Sequence, residues 1–220
     1  MKEKLVQWGG PALILGGLLW VFTYAVEIAI GVTLGAATYE RADAGASLLE
    51  WLWPASFMSA ILFLAIGLLG VAARLDGRAR VLTFLGTLLA GVAVAAAAVN
   101  LVTLAGVTGA PTAADGLGFL GVIGVLGGAV ILGIATLRAR VLRRWARLTL
   151  AMLPLAFIPA ILATFPLESV APDYVVADLP FPVVGLVLAT VGCAVLKDTT
   201  MSRTDTSAAS DRLIAARARR

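Results

Sequence analysis

The chain reads as an all-α, polytopic membrane protein with six transmembrane helices and both termini in the cytoplasm. Three observations carry that expectation. The 220 residues are 60% hydrophobic and only 14% charged, with a mean hydropathy of +0.99, whereas soluble domains carry about 25% charged residues. Six apolar stretches approach the roughly twenty residues that span a hydrocarbon core about 30 Å thick. Sixteen of the seventeen Lys and Arg residues fall in every second connection, Arg41 being the exception. Because basic residues are retained on the cytoplasmic side during insertion, the two termini and the two Arg-rich loops are expected inside.

The six stretches are 8–34, 51–73, 81–107, 116–137, 148–165 and 181–196. In lipid the backbone must satisfy its own hydrogen bonds, so each is expected to be a helix. The first is too long for the apolar region of a cleaved signal and contains Glu27, so it is expected to remain as a span. Trp8 and Trp145 should sit at the inner interface, and Tyr39, Trp51, Trp53 and Tyr174 at the outer one. In the fifth, Pro154 and Pro159 predict a kink. The sixth is the shortest, begins among Pro180 and Pro182, and would need local thinning of the bilayer or a start nearer Tyr174 to cross. Residues 1–196 thus form one six-helix transmembrane domain. Residues 197–220 turn polar and basic, which predicts a largely disordered cytoplasmic tail; Ser210 could cap a short basic helix within it.

Two stretches carry a resemblance. The run from Gly133 to Ala146, with Arg138, Arg140, Arg143, Arg144 and Trp145, and the Gly16, Gly17, Trp20 pattern of the first segment are similar to those of an uncharacterised family of six-helix integral membrane proteins of GC-rich bacteria. That family has Pro before the Arg-Trp pair where this chain has Arg143. The resemblance implies the six-helix architecture and no particular activity. Gly70 followed by Arg74, Arg78 and Arg80 also echoes Gly133 followed by the Arg138–Arg147 cluster, which either a duplicated hairpin or insertion physics alone would produce. Arg outnumbers Lys fourteen to three, as GC-rich coding favours, and the cytoplasmic (inner) membrane is the expected location.

Catalytic chemistry has few residues to work with. The chain has no His and one Cys, which removes the commonest general base and metal ligand and any internal dithiol. No cofactor, no metal site and no enzymatic activity are expected. Gly116, Gly118 and Gly121 match GxGxxG literally, but without the strand and soluble βαβ unit that motif needs. Gly121, Gly124 and Gly128 instead suit close helix packing, within the chain or between two copies. The acid within an apolar segment is Glu27, and at 100° per residue Gly16, Trp20, Thr23, Tyr24, Glu27 and Gly31 share one face of about 100°. Intramembrane acids usually face a bundle interior. Glu27, Thr23, Tyr24, Asn100 and Thr103 therefore form a candidate polar site, with a Glu27–Asn100 hydrogen bond expected between the first and third helices. The alternative is an interfacial Glu27 about 5 Å below the outer boundary, paired with Arg41.

Five arginines, Arg138, Arg140, Arg143, Arg144 and Arg147, together with Trp145, form a candidate contact for anionic lipid. The expected partners are the lipid bilayer, a second copy of the chain or another membrane protein; the basic residues are juxtamembrane, so nucleic acid is not expected. Two functions remain open on sequence alone. One is an accessory, sensor or scaffold protein without catalytic chemistry; the other is a small-solute or ion transporter or channel with Glu27 as its proton or cation site.

Overall fold

The computed structural model describes residues 2–34, 48–106, 114–167, 171–176 and 178–198. All described secondary structure is helical: α1 (Lys2–Leu34), α2 (Leu48–Arg74), α3 (Arg80–Leu104), α4 (Ala114–Ala139), α5 (Arg144–Ala151), α6 (Leu153–Leu167), α7 (Asp173–Val176) and α8 (Pro180–Asp198). Five of these, α1 to α4 and α8, are long and apolar enough to cross a membrane. Tyr39, Arg41 and the tail beyond Asp198 lie outside the described residues.

The stretch expected as a fifth continuous helix is divided. α5 ends at Ala151, Met152 takes a non-helical conformation (φ −96°, ψ 9°), and α6 begins at Leu153. The prolines account for the position of the break. Pro154 has no N–H to bond back one turn to Leu150, and it stands in the first turn of α6, where that N–H would have no helical partner anyway. Pro159 is carried inside α6. The last helix is longer than expected, 19 residues from Pro180 to Asp198. Pro180 stands at its first position, where the missing N–H would have had no partner anyway, while Asp173–Val176 forms a separate short turn of helix.

Closeness between the long helices comes from small residues. α1 carries two Gly pairs seven residues apart, and each member faces a different neighbour. A Cβ on Gly9 would lie 2.9 Å from the Gly70 Cα of α2, and one on Gly16 2.7 Å from the Leu64 nitrogen; one on Gly10 would lie 2.8 Å from the Leu196 nitrogen of α8, and one on Gly17 would overlap the Gly185 carbonyl oxygen. α1 is therefore clamped between α2 and α8 with backbones in contact, the arrangement small residues permit in lipid. Gly124 of α4 lies against Ala93 and the Leu89 carbonyl of α3, Gly128 against the Gly86 carbonyl of α3, and Gly121 against Ile61 of α2. Each of these three glycines thus lies against a neighbouring helix of the same chain. Gly70 meets the helix before it and Gly133 the helix after it, Ala151 of α5, so the two echoing stretches are not equivalent in their packing.

The remaining surface is turned inside out relative to a soluble protein. Leu15, Leu18 and Phe22 on α1, Phe84, Leu88 and Val92 on α3, and Phe119 and Ile123 on α4 are large, apolar and exposed. α3 buries only Gly86, Ala90, Ala93, Ala96, Ala97 and Asn100. Such faces suit lipid contact. Trp8, Trp51 and Trp145 are also exposed, whereas Trp53 is half-buried and stacks on Phe57 with ring centroids 5.7 Å apart.

Four basic regions converge on one end of the bundle. Lys2 bonds to Asp76, Arg78 reaches the Ala139 carbonyl at 3.5 Å, and Arg143 pairs with Asp198 at 3.1 Å. Arg74 donates to the Val195 carbonyl at 2.8 Å and to that of Val6 at 3.4 Å, which places a cation at the C-terminal end of α8 where carbonyls lack helical partners. The turn after α2 needs left-handed backbone at Asp76, Gly77 and Ala79, and Arg140 adopts it just past α4.

Candidate functional site

At the opposite end of the bundle, polar side chains gather beneath an aromatic cover. Glu27 belongs to α1 and is 1% exposed. Asp178, which precedes α8, stands close to its side chain. Between them lies a cavity of about 10 Å³ lined by Trp20, Thr23, Tyr24, Glu27, Phe57, Asp178 and Phe181, close to the least space that holds one water molecule.

The local sequence explains how these groups meet. Trp20, Thr23, Tyr24 and Glu27 recur at helical spacing on one face of α1, and the Gly17–Gly185 contact presses that face against the start of α8. Phe181, on the first turn of α8, packs against Trp20 with centroids 5.5 Å apart, against Phe57 at 5.7 Å and an interplanar angle of 86°, and against Phe157 at 6.3 Å. These rings separate the carboxyl pair from the rest of the bundle. Tyr24 donates its hydroxyl to the Val175 carbonyl, tying α7 to α1. The Trp20 Nε1–H is buried and has no hydrogen-bond partner among the described residues.

Thr23 lies beside the cavity rather than on the acids. Its hydroxyl is 2.8 Å from the Leu19 carbonyl and 2.9 Å from Ser56 Oγ, and Ser56 donates to the Trp53 carbonyl at 2.9 Å. This hydroxyl chain links α1 to α2 and leaves Ser56 without a neighbouring base.

Of the expected site residues, Glu27, Thr23 and Tyr24 come together; Asn100 and Thr103 do not join them. Asn100 is buried on α3 and donates to the Ala96 carbonyl at 3.2 Å, and Thr103 bonds back to the Val99 carbonyl at 2.9 Å. α2 stands between them: α1 packs on α2 and α8, while α3 packs on α2 and α4. The expected Glu27–Asn100 bond is not found among the described residues, and Asp178 is the acid that shares the cavity with Glu27. Glu27 is enclosed by the protein; Arg41, its expected alternative partner, lies outside the described residues.

Asp178 was not among the residues singled out from the sequence. Its signal was position: it lies two residues before Pro180, where an N-terminal helix dipole favours negative charge. Burial pushes its carboxyl above the ordinary carboxylate range, and the neighbouring Glu27 works in the opposite direction. Two carboxyl groups can share a hydrogen bond only when one carries a proton, because an ionised carboxylate is an acceptor only. Two carboxyl groups brought this close are a candidate site for a proton.

The arginine cluster is divided in its commitments. Arg143 pairs with Asp198, so it is engaged within the protein and not simply offered to a headgroup. Arg138, Arg140, Arg144 and Trp145 are exposed, whereas Arg147 is half-buried. Among the described residues no group of three or more His, Cys, Asp or Glu side chains comes together as a metal site. Comparison with protein-family models, with curated proteins and with solved structures gives no match for this chain.

Proposed function

We propose that this chain is a six-span protein of the bacterial cytoplasmic membrane, without catalytic chemistry of its own, that responds to protonation of the Glu27–Asp178 pair. The observation that carries the reading is the placement of two carboxyl groups, Glu27 and Asp178, on one cavity of about 10 Å³, with Glu27 only 1% exposed. α5 and α6 together supply the sixth crossing. The gathering of Lys2, Arg74, Arg78, Arg143 and Asp198 at one end supports termini and Arg-rich loops on the cytoplasmic side, which puts the carboxyl pair near the outer face.

A sensor or accessory role suits the geometry better than a conduit. Towards the basic end the site is closed by Trp20, Phe57 and Phe181 and, one turn deeper, by the backbone contact of Gly17 with Gly185. Protonation would alter how the start of α8 is held to α1. A proton is the ligand this reading takes, because the cavity has room for about one water and its acids number two, Glu27 and Asp178. A proton-coupled transporter is the second reading, favoured by the broken helix at Met152.

Infrared difference spectroscopy across a pH titration tests the site. The wild-type protein should show a carboxyl stretch that titrates, and both Glu27→Gln and Asp178→Asn should remove or shift it, since on this reading the two groups titrate together. Two independent carboxyl signals near the ordinary values of about 3.9 and 4.3 would exclude a shared proton. Proton uptake by proteoliposomes separates the two roles: flux lost in Glu27→Gln means transport, and its absence in folded wild-type protein leaves the sensor.

A further inference from the structure

A second site lies on the lipid-facing surface, independent of the carboxyl pair. α4 and α5 touch where a Cβ on Gly133 would lie 2.7 Å from the Leu150 carbonyl carbon and 2.8 Å from the Ala151 Cα. Immediately after this contact the helix breaks at Met152, and α6 begins at Leu153. Beside α4 and α6 a groove of about 290 Å³ opens, lined by Leu126, Gly127, Val130, Ile131, Leu153 and Phe157. Its walls are apolar, so it offers nothing to a headgroup and suits a hydrocarbon chain.

The groove leads to a cation. At 100° per residue, Val130, Ile134, Gly127, Arg138 and Ile131 fall within an arc of about 100° on α4. Ile134 and Arg138 are exposed on that arc, continuing the groove towards the basic end. From Gly127 to Arg138 the helix rises about 16 Å, one leaflet of a core about 30 Å thick. Arg147 stands one turn before Ala151, and its Nε is buried with no partner among the described residues. Arg140 and Arg144 are exposed at the same end.

We propose that this groove seats one acyl chain of an anionic phospholipid whose phosphate lies on Arg138. The length of the apolar track and the charge at its end select the occupant together. A zwitterionic lipid would fill the groove without the charge pairing. A partner helix would leave the arginine facing an apolar surface.

The test uses the full chain purified in mild detergent, with phosphatidylglycerol or phosphatidylcholine added and retention read by native mass spectrometry. Phosphatidylglycerol should be retained over phosphatidylcholine, and Arg138→Gln should weaken its retention about fivefold, the factor one basic residue near an anionic surface contributes. Val130→Phe and Ile131→Phe, which fill the groove and leave every arginine in place, should weaken it as well. Equal retention of both lipids, or unchanged retention in folded groove-filled variants, overturns the proposal. Phe157→Trp gives a reading that keeps the groove open. Its added fluorescence should be quenched by brominated-chain phosphatidylglycerol at lower mole fraction than by the brominated phosphatidylcholine, and equal quenching counts against the site.

Discussion

Gly17 is the position where one added methyl group should do most harm. A Cβ there would overlap the Gly185 carbonyl oxygen and lie 3.0 Å from both the Ala189 nitrogen and its Cβ. Two of those three atoms belong to the backbone of α8, which cannot rotate out of the way, so Gly17→Ala must push the helices apart. Overpacking of this kind costs about 1–3 kcal/mol, and the loosened crossing forfeits dispersion contacts along its length. Gly91 on α3 is the internal control, because a Cβ there meets nothing within 4 Å. Replacing it by Ala should gain about 0.5–1 kcal/mol by restricting the unfolded chain. The two single-methyl variants should therefore differ by roughly 1.5–4 kcal/mol, tenfold or more in the folded-to-unfolded ratio. Unfolding in mixed micelles of increasing SDS content, followed by circular dichroism, measures the difference. Trp20, one turn from Gly17, should change its fluorescence in Gly17→Ala alone. Equal stability of the two variants would refute the claim that α1 and α8 meet backbone to backbone.

Three further outcomes follow from the same structure. Burial holds the Asp178 carboxyl above its unfolded value, so the folded state binds more protons in that window and stability falls as pH rises through it. Asp178→Asn should then be more stable than wild type at neutral pH, with the difference shrinking below the ordinary carboxylate range; unfolding at both pH values checks the sign. Arg74→Gln removes charge-assisted bonds to the Val195 and Val6 carbonyls and should cost about 1.5–3 kcal/mol, read in the same SDS titration. On a Cys193→Ala background, Cys at Ala44, Thr112 or Ser169 should react with an impermeant thiol reagent in intact cells, while Cys at Ala79, Ala139 or Ser207 should stay unlabelled. Labelling of the second group would reverse the orientation.

The fold was legible wherever it depends on sums along the chain. Hydropathy placed α1 to α4 within a few residues of their observed ends, with the largest extension at the start of α1, which begins at Lys2 rather than Trp8. Pro154 and Pro159 marked the fifth stretch as irregular, and the finding at Met152 is a break between two helices where a kink was expected. At the site, helical spacing grouped Trp20, Thr23, Tyr24 and Glu27 on one face, because all four ride on one rigid element. Asn100 was misassigned for the opposite reason: matching depth on two helices says nothing about whether a third stands between them.

Sequence alone determined the class of the protein, its apolar helices and the sorting of positive charge to alternate connections, since burial in lipid and retention of cations are properties of each segment by itself. Tertiary structure alone decided the partner of Glu27. That choice depends on how each helix is rotated about its axis and which neighbour it crosses, and here Gly10 and Gly17 bring α8 to backbone contact with α1. The crossing delivers Phe181 onto Trp20 and brings Asp178 and Glu27 to one cavity, joining two acids from opposite ends of the chain.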